Sequence, residues 1–408
     1  MKAVLLTREY PPHIYGGAGV VVGQLAEALG RLMPVEVRCF GERAASESTD
    51  RITLRGYTPW ERVGPGRDQP LYAAALETLS IALAMARDPV DAQVAHAHTW
   101  YADMAGLWIR TLHRIPLCVT LHSMEPLRPW KADQLGSGYL LSSWIEKTAV
   151  EAADRVIAVS RRMRDDILEH FKVEPERVVV IHNGIDPDTF KRTEAREVLA
   201  RRGVREPYVL FVGRITDQKG IFHLLEAARM LPKGVQVVLC ASAPDTPEIE
   251  ARLKRALPEH PNVLWIGEMI PVTEVVQLYS HAAVFACPSV YEPFGIINLE
   301  AMACETPVVA SDVGGIREVV DPGKTGILVP FEAIGGTNFE PKQPAQFARD
   351  LAGAINQLLD DPQRLGQMGF LARERVEEHY SWSGIARKTL DFYRDLVQEP
   401  RGASRAAP

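Results

Sequence analysis

The feature that most constrains this chain is a rhythm. Short, almost wholly apolar runs alternate with helical patterns, the series breaks off near the middle, and then it starts again. In the first half the runs are Lys2–Thr7, Val35–Phe40, Gln93–His98, Leu117–Leu121, Val156–Ser160 and Val178–Ile181, separated by helix-like stretches such as Val20–Leu32, Tyr72–Ala86 and Arg161–Phe171. Strands covered on both faces show no polar alternation, so runs such as VLL, VIAV and VVVI predict a parallel sheet with helices on either side. The second series predicts strands at Tyr208–Gly213, Val235–Cys240, Val263–Ile266, Ala283–Cys287 and Pro307–Ala310. Between the series lies HNGIDPDTFKRTEAREVLARRGVREP, polar and broken by Gly and Pro, as a connection between domains is. A length of 408 residues is ample for two such domains, read as residues 1–190 and 191–382. No sequence repeat links the halves, so their likeness is architectural. From about Pro344 to Gln398 the pattern is almost continuously helical, and the tail RGASRAAP is expected to fray.

The expected fold class is therefore α/β, with two Rossmann-like, doubly wound parallel-sheet domains facing a central cleft. In open sheets of this kind ligands bind outside the carboxyl ends of the strands, where the strand order reverses. Closure about the linker would shield chemistry in such a cleft from water.

Composition removes several function classes. With 46% hydrophobic and 24% charged residues the chain is neither disordered nor fibrous. The formal net charge is −6 and no long block of one sign occurs, which argues against a nucleic-acid partner. Cys39, Cys118, Cys240, Cys287 and Cys304 are odd in number and have no CxxC spacing, so they read as free, mostly buried thiols in a reducing compartment. MKAVLLTREYPP reads as a first strand and not as a signal peptide, and no run of 18 apolar residues exists. A cytoplasmic protein without a membrane partner is expected.

Four segments carry chemistry. YGGAGVVVG follows the first strand, and Gly16, Gly17 and Gly19 let backbone N–H groups approach an anion at the start of a helix. The spacing is one residue too long for the dinucleotide fingerprint, and a tight turn without ligand is the plain alternative. FVGRITDQKG places Arg214 and Lys219 between a strand and a helix, where a guanidinium fork and a compact ammonium can converge on a diphosphate. Solvated loop charges are the alternative.

The third segment is YEPFGIINLEAMACETPVVASDVGG. Glu292 lies in a Pro- and Gly-bearing loop, and Glu300, after seven intervening residues, lies on a helix beginning near Ile296. Carboxylates there can accept from sugar or ribose hydroxyls, and the N–H groups of Gly295, Ile296 and Ile297 are donors at the same helix end. The fourth segment pairs HAHTW with TLHSMEPLRPWK, putting His98 and His122 each at the end of a parallel strand. His96 and His98 have the look of a metal pair, but no third ligand is evident, so no metal is expected. Asp186-Pro187-Asp188 reads as a turn in the linker.

Taken together, the E-x7-E segment, GRITDQKG, HNGID and SDVGG resemble the retaining glycosyltransferases of family 4, which have the GT-B fold, with matching elements from Leu5 to about Tyr393. TREYPPHIYGGAG, HAHTWY and HSMEPLRPWK look more narrowly like the actinobacterial-type glycogen synthases, a group that includes α-maltose-1-phosphate synthases. The resemblance implies roles by position. Arg214 and Lys219 would hold the donor diphosphate, with Gly16 and Gly17 supplying backbone donors; Glu300 would bond the nucleotide ribose. Glu292 would bond hydroxyls of the transferred sugar, and His122 would sit beside its anomeric centre. The closing helix, at about 383–408, would pack back on the first domain. No cofactor is implied beyond the nucleotide-sugar donor, ADP-glucose preferred and UDP-glucose allowed, and a homodimer is within the family's range.

Two departures bear on the acceptor. Many glycogen synthases carry K-x-G-G in the first loop, where this chain has Ile14-Tyr15-Gly16-Gly17, and many carry Asp where it has Thr99. An Asp would repel a phosphorylated acceptor, whereas a hydroxyl can donate to one, and Ser123, Arg128 and Lys131 follow in the neighbouring loop. Glucose 1-phosphate is thus an expected acceptor, giving maltose 1-phosphate, with α-glucan as the competing one. A transferase confined to glucan, a sugar-nucleotide 2-epimerase and a non-catalytic sensor are the other readings of these residues, and an NAD-dependent dehydrogenase is a distant one.

Overall fold

A computed structural model describes residues 1–14, 16–61, 71–242, 244 and 246–399. Tyr15 of the glycine loop and the tail expected to fray lie outside the described residues. The chain divides into two compact units, Met1–Gly184 with Trp382–Pro408, and Ile185–Ser381.

The first unit is built on seven parallel strands: β1 (Ala3–Leu6), β2 (Val35–Phe40), β3 (Ile52–Tyr57), β4 (Val94–His98), β5 (Leu117–Leu121), β6 (Arg155–Ala158) and β7 (Val178–Val180). Their spatial order is β3-β2-β1-β4-β5-β6-β7, so the winding reverses between β1 and β4, where Leu6 is paired with Ala97. β1, β4 and β5 are buried at every residue, as central strands between helical layers must be. Each fully buried Leu there, such as Leu5 or Leu6, contributes about 1.5–3 kcal/mol relative to exposure. β3 has no counterpart in the apolar runs. It is an edge strand in which buried Leu54 and Tyr57 alternate with exposed Thr53 and Arg55, so its hydrophobic signal is halved. The helix Trp382–Gln398 belongs to this unit. It turns Ile385, Ala386, Thr389, Leu390, Tyr393 and Leu396 inward at three- and four-residue intervals and packs on the helix Gly17–Gly30.

The second unit holds six parallel strands: β8 (Tyr208–Arg214), β9 (Gln236–Ser242), β10 (Val263–Ile266), β11 (Val284–Cys287), β12 (Val308–Ser311) and β13 (Gly326–Val329). Their order is β10-β9-β8-β11-β12-β13, with the reversal between β8 and β11. A small antiparallel hairpin, β14 (Ala333–Gly335) with β15 (Asn338–Pro341), follows. Val209, Phe211, Leu224, Val237 and Leu239 pack with Leu351 and Ile355 of the helix Pro344–Leu359 to form the core. β13 and the hairpin escape a search for apolar runs because they are short and partly exposed. All five cysteines are free and buried. Among the described residues no helix is long and apolar enough to cross a membrane.

Candidate active site

Each sheet presents its chemistry where its winding reverses. In the second unit Arg214 is the last residue of β8, and Lys219 closes the short 3-10 turn that follows. Thr216 caps that turn by accepting the Lys219 N–H on its hydroxyl. The loop after β11 is laced to the turn: Val290 N–H donates to the Gln218 carbonyl at 2.9 Å, and the Gln218 amide donates to the Tyr291 carbonyl at 3.0 Å. The two loops approach so closely at Gly220, where φ is +64°, that an added Cβ would lie 1.9 Å from the Pro288 carbonyl oxygen. Only glycine fits.

This lacing delivers Glu292 to Lys219. The Lys219 ammonium donates to Glu292 Oε2 at 2.6 Å, and Ser289 Oγ donates to the same oxygen at 3.3 Å. The loop after β12 fixes Glu292 from behind, because Gly315 N–H donates to its carbonyl at 3.0 Å. Gly314, at φ +52°, brings its Cα so near that a Cβ would stand 1.9 Å from that carbonyl oxygen. SDVGG is therefore a support for Glu292.

Gly295 caps the helix Ile296–Ala303, so Gly295, Ile296 and Ile297 sit at its N-terminal end, where the first N–H groups have no intrahelical partner. Glu300, one turn on, accepts from the Tyr279 hydroxyl at 2.9 Å. Burial pushes its carboxyl up to about 7, against the opposing pull of that hydroxyl and of the Lys219 ammonium. Lys219, Glu292 and Glu300 thus form one electrostatic group. Tyr279, Gln218 and Ser289, which hold it, carry no local sequence signal.

In the first unit the glycine loop opens the helix Gly17–Gly30, with Gly16 as its cap. An added Cβ on Gly16 or Gly17 would meet nothing within 4 Å, so there is space beside the backbone. Glu9, which no motif singled out, accepts the Gly16 N–H on its carboxylate at 2.8 Å. The loop already holds one internal anion, as expected of N–H groups at a helix start.

β4 ends in His98, and His122 directly follows the last residue of β5. A buried imidazole without a partner is costly, and partners are found for both nitrogens of His96 and one of His98. His96 lies 2.6 Å from the Tyr393 hydroxyl through Nδ1 and 2.6 Å from Thr120 Oγ1 through Nε2, which ties the C-terminal helix to the sheet. His98 Nδ1 lies 3.1 Å from His122 Nε2. Burial pushes His96 down to about 3 and His122 down to about 4, and drives His98 well below its ordinary value, so all three are neutral at pH 7. Both nitrogens of His96 and Nδ1 of His98 are engaged in these contacts, which leaves His98 Nε2 as the one ring nitrogen of that pair without a hydrogen-bond partner among the described residues. Among the described residues no group of three His, Cys, Asp or Glu could hold a metal ion.

Thr99, next to His98, adopts φ 66° and ψ 156°, a region nearly reserved for glycine. Its side chain makes no capping bond to the helix Trp100–His113 that it precedes. Such a conformation costs on the order of 1–3 kcal/mol, and residues that carry this kind of strain cluster at functional sites. Beyond β5, the Arg128 guanidinium donates to Ser123 Oγ at 2.8 Å and lies 3.7 Å from Glu125. Glu125 is itself held, its N–H donating to Glu146 and its carboxylate accepting from Ser142, both at 2.7 Å. Lys131 ends a short 3-10 turn in the same loop. In the linker, Asp186 accepts the Asp188 N–H at 3.1 Å and the Thr189 hydroxyl at 2.6 Å, a local turn.

Comparison with known proteins agrees with these features. Residues 15–189 match the family described as Glycosyltransferase Family 4, and residues 192–375 match Glycosyl transferases group 1. An α-maltose-1-phosphate synthase of Mycolicibacterium smegmatis is 47% identical over 408 aligned residues, which span 97% of this chain and 100% of that protein. The protein of that name from Mycobacterium tuberculosis is 46% identical over 406 residues, again 97% of this chain and 100% of the other. Among solved structures, sucrose-phosphate synthase from Thermosynechococcus elongatus superposes with a TM-score of 0.76 at 26% identity, covering 97% of this chain and 98% of that one. Anabaena HepE, solved with UDP and glucose, shares the fold at a TM-score of 0.75 and 21% identity, covering 97% of this chain and 100% of that one. On two matched domains and relatives at this identity over nearly its whole length, the chain belongs to the family 4 glycosyltransferases and has their GT-B fold.

Proposed function

We propose that this chain is a retaining hexosyltransferase that moves glucose from ADP-glucose to glucose 1-phosphate, forming α-maltose 1-phosphate. The observation that carries the reading is identity of 46–47% over 97% of the chain to proteins named for that product. The geometry supports the following roles. Breaking the bond between the glucosyl C1 and the diphosphate oxygen puts negative charge on that oxygen and positive charge on the sugar. In this reading Lys219 and Arg214, with the Gly295–Ile297 helix start, stabilise the former, and the Gly16–Gly17 loop would add backbone donors. The new bond joins C1 to the acceptor's 4-hydroxyl oxygen on the face the diphosphate leaves. The hydroxyl proton passes to the departing phosphate, and ADP is released.

Glu292, held on Lys219, accepts hydroxyls of the transferred glucose. Glu300, held by Tyr279, accepts those of the ribose, and His122 lies against the sugar. Thr99, Ser123, Arg128 and Lys131 take the acceptor phosphate, with Arg128 preset by its bond to Ser123. In this reading, which takes its base preference from the family resemblance, UDP-glucose is a slower donor, and these steps call for no metal. Five free buried thiols fit a cytoplasmic setting. A homodimer belongs to the same reading, with exposed Leu76, Leu83, Leu140 and Trp144 of the first unit as its contact; sedimentation velocity tests it.

The deciding assay offers ADP-glucose with glucose 1-phosphate and with glycogen side by side. Maltose 1-phosphate as the dominant product is expected. Elongation of glycogen far faster than any use of glucose 1-phosphate would overturn the acceptor assignment.

A further inference from the structure

His122 enters the account through its place at the end of β5. What decides which face of its ring, and which nitrogen, it can offer is a neighbour outside every motif role, His98. His98 is 1% exposed and packed against two other imidazoles: His96, with ring centroids 4.0 Å apart, and His122, at 5.3 Å with the planes only 20° apart. His96 cannot yield, because both its nitrogens are bonded at 2.6 Å, one to the C-terminal helix through Tyr393 and one to Thr120. His98 is therefore clamped, and its Nδ1 meets His122 Nε2 at 3.1 Å. That contact uses up Nε2 of His122 and leaves Nδ1 as the nitrogen the ring can offer to a ligand.

The proton count then fixes more than orientation. Between two neutral imidazoles one nitrogen of the contact must carry hydrogen and the other must not. His98 Nε2 is buried with no hydrogen-bond partner among the described residues. Were His122 the donor, the single proton of His98 would sit on that orphaned Nε2, as a buried N–H with nothing to accept it, the rarer and costlier defect. With His98 as donor the proton is spent in the bond and only a lone pair is orphaned. We propose that His98 is a positioning residue that donates from Nδ1 to His122 Nε2 and so holds His122 as its Nδ1–H tautomer, a hydrogen-bond donor toward the transferred sugar. The part concerning the sugar rests on the function proposed above; the tautomer does not.

The two parts separate in one set of measurements. Long-range 15N–1H correlation spectra of histidine-labelled full-length protein report the tautomer of each ring, and the His122 signal is assigned by its loss in His122→Gln. Nδ1–H is expected for His122 in the wild type; Nε2–H there overturns the proposal without any variant. An Asn side chain places an amide N–H where His98 Nδ1 stands, and Asp places an acceptor there. His98→Asn should keep His122 as Nδ1–H, and His98→Asp should switch it to Nε2–H. A His122 ring that ignores the difference between the two variants also overturns the proposal. Turnover with ADP-glucose should stay within about threefold in His98→Asn and fall about 10- to 10²-fold in His98→Asp, with the Michaelis constant of the donor much less affected. If the tautomer switches in His98→Asp while turnover does not change, the tautomer assignment stands and the placing of His122 against the sugar is refuted.

Discussion

At the second unit's switch point an ammonium and a carboxylate lie 2.6 Å apart, and a second carboxyl beside them is raised to about 7. At the first unit's switch point the reactive-looking groups are three neutral imidazoles and a strained threonine. Both regions stand at carboxyl ends of strands in sheets of the same winding, so topology does not account for the contrast. On the proposed function, what each would hold does. A leaving diphosphate gathers charge as the bond breaks, and fixed ions are the strongest response to it. A sugar and its acceptor are neutral at the reacting atoms, and neutral donors in a dry setting orient them without the cost of burying an ion.

Lys219→Ala breaks the comparison most sharply. It removes the ammonium from the charged site and should lower turnover by about 10²-fold or more. Circular dichroism should still show a folded protein, since Lys219 lies outside the apolar core of the second unit. Wild-type kinetics would take Lys219 out of the site.

Glu300→Ala should act next, mainly on the Michaelis constant of the donor. Loss of a charged acceptor is worth about 1.5–3 kcal/mol, tenfold or more. An unchanged donor constant would refute the ribose role. In the other unit Thr99→Gly should do two opposite things. Relief of strain less the added chain freedom should stabilise by about 1 kcal/mol, raising the melting temperature by about 2–4 °C. The Michaelis constant for glucose 1-phosphate should rise as the hydroxyl is lost. A lower melting temperature would mean that the Thr99 conformation is not strained.

The last contrast lies in pH, where the two regions pull in opposite directions. Glu300 is raised from 4.5 to about 7 on folding, so the stability it carries is full below pH 4.5 and is lost as pH rises to about 7. His122 is lowered from 6.5 to about 4 and His96 to about 3, so their stability is full above pH 6.5 and is lost as pH falls toward 4 and then 3. Melting curves between pH 4 and 8 should therefore lose their alkaline-side decline in Glu300→Gln and part of their acid-side decline in His122→Gln. Identical pH profiles in wild type and both variants would contradict the burial argument.

Much of this was legible in the residues, unevenly. Central strands announced themselves because burial on both faces leaves an unbroken apolar run, as in β1 and β6, whereas β3 and β13 sit at sheet edges and do not. Glu292, Glu300, Arg214 and Lys219 could be picked out by their turns and spacing. What positions them could not. Tyr279 reaches Glu300 from 21 residues away, Gln218 reaches Tyr291 across 73, and Tyr393 meets His96 across 297. Such pairs are fixed by sheet winding and leave no local pattern. Glu9 was hidden for a different reason, since a lone acid after a strand looks like any surface charge until the Gly16 N–H is found on it.

The central claim is that the charged switch point of the second unit receives the donor's diphosphate. A crystal structure of the protein with ADP, or with an unreactive ADP-glucose analogue, tests it directly. The account predicts diphosphate oxygens within hydrogen-bonding distance of Lys219 Nζ and the Arg214 guanidinium, with ribose hydroxyls on Glu300. Nucleotide bound elsewhere, with the Lys219–Glu292 pair undisturbed and facing only water, would contradict it.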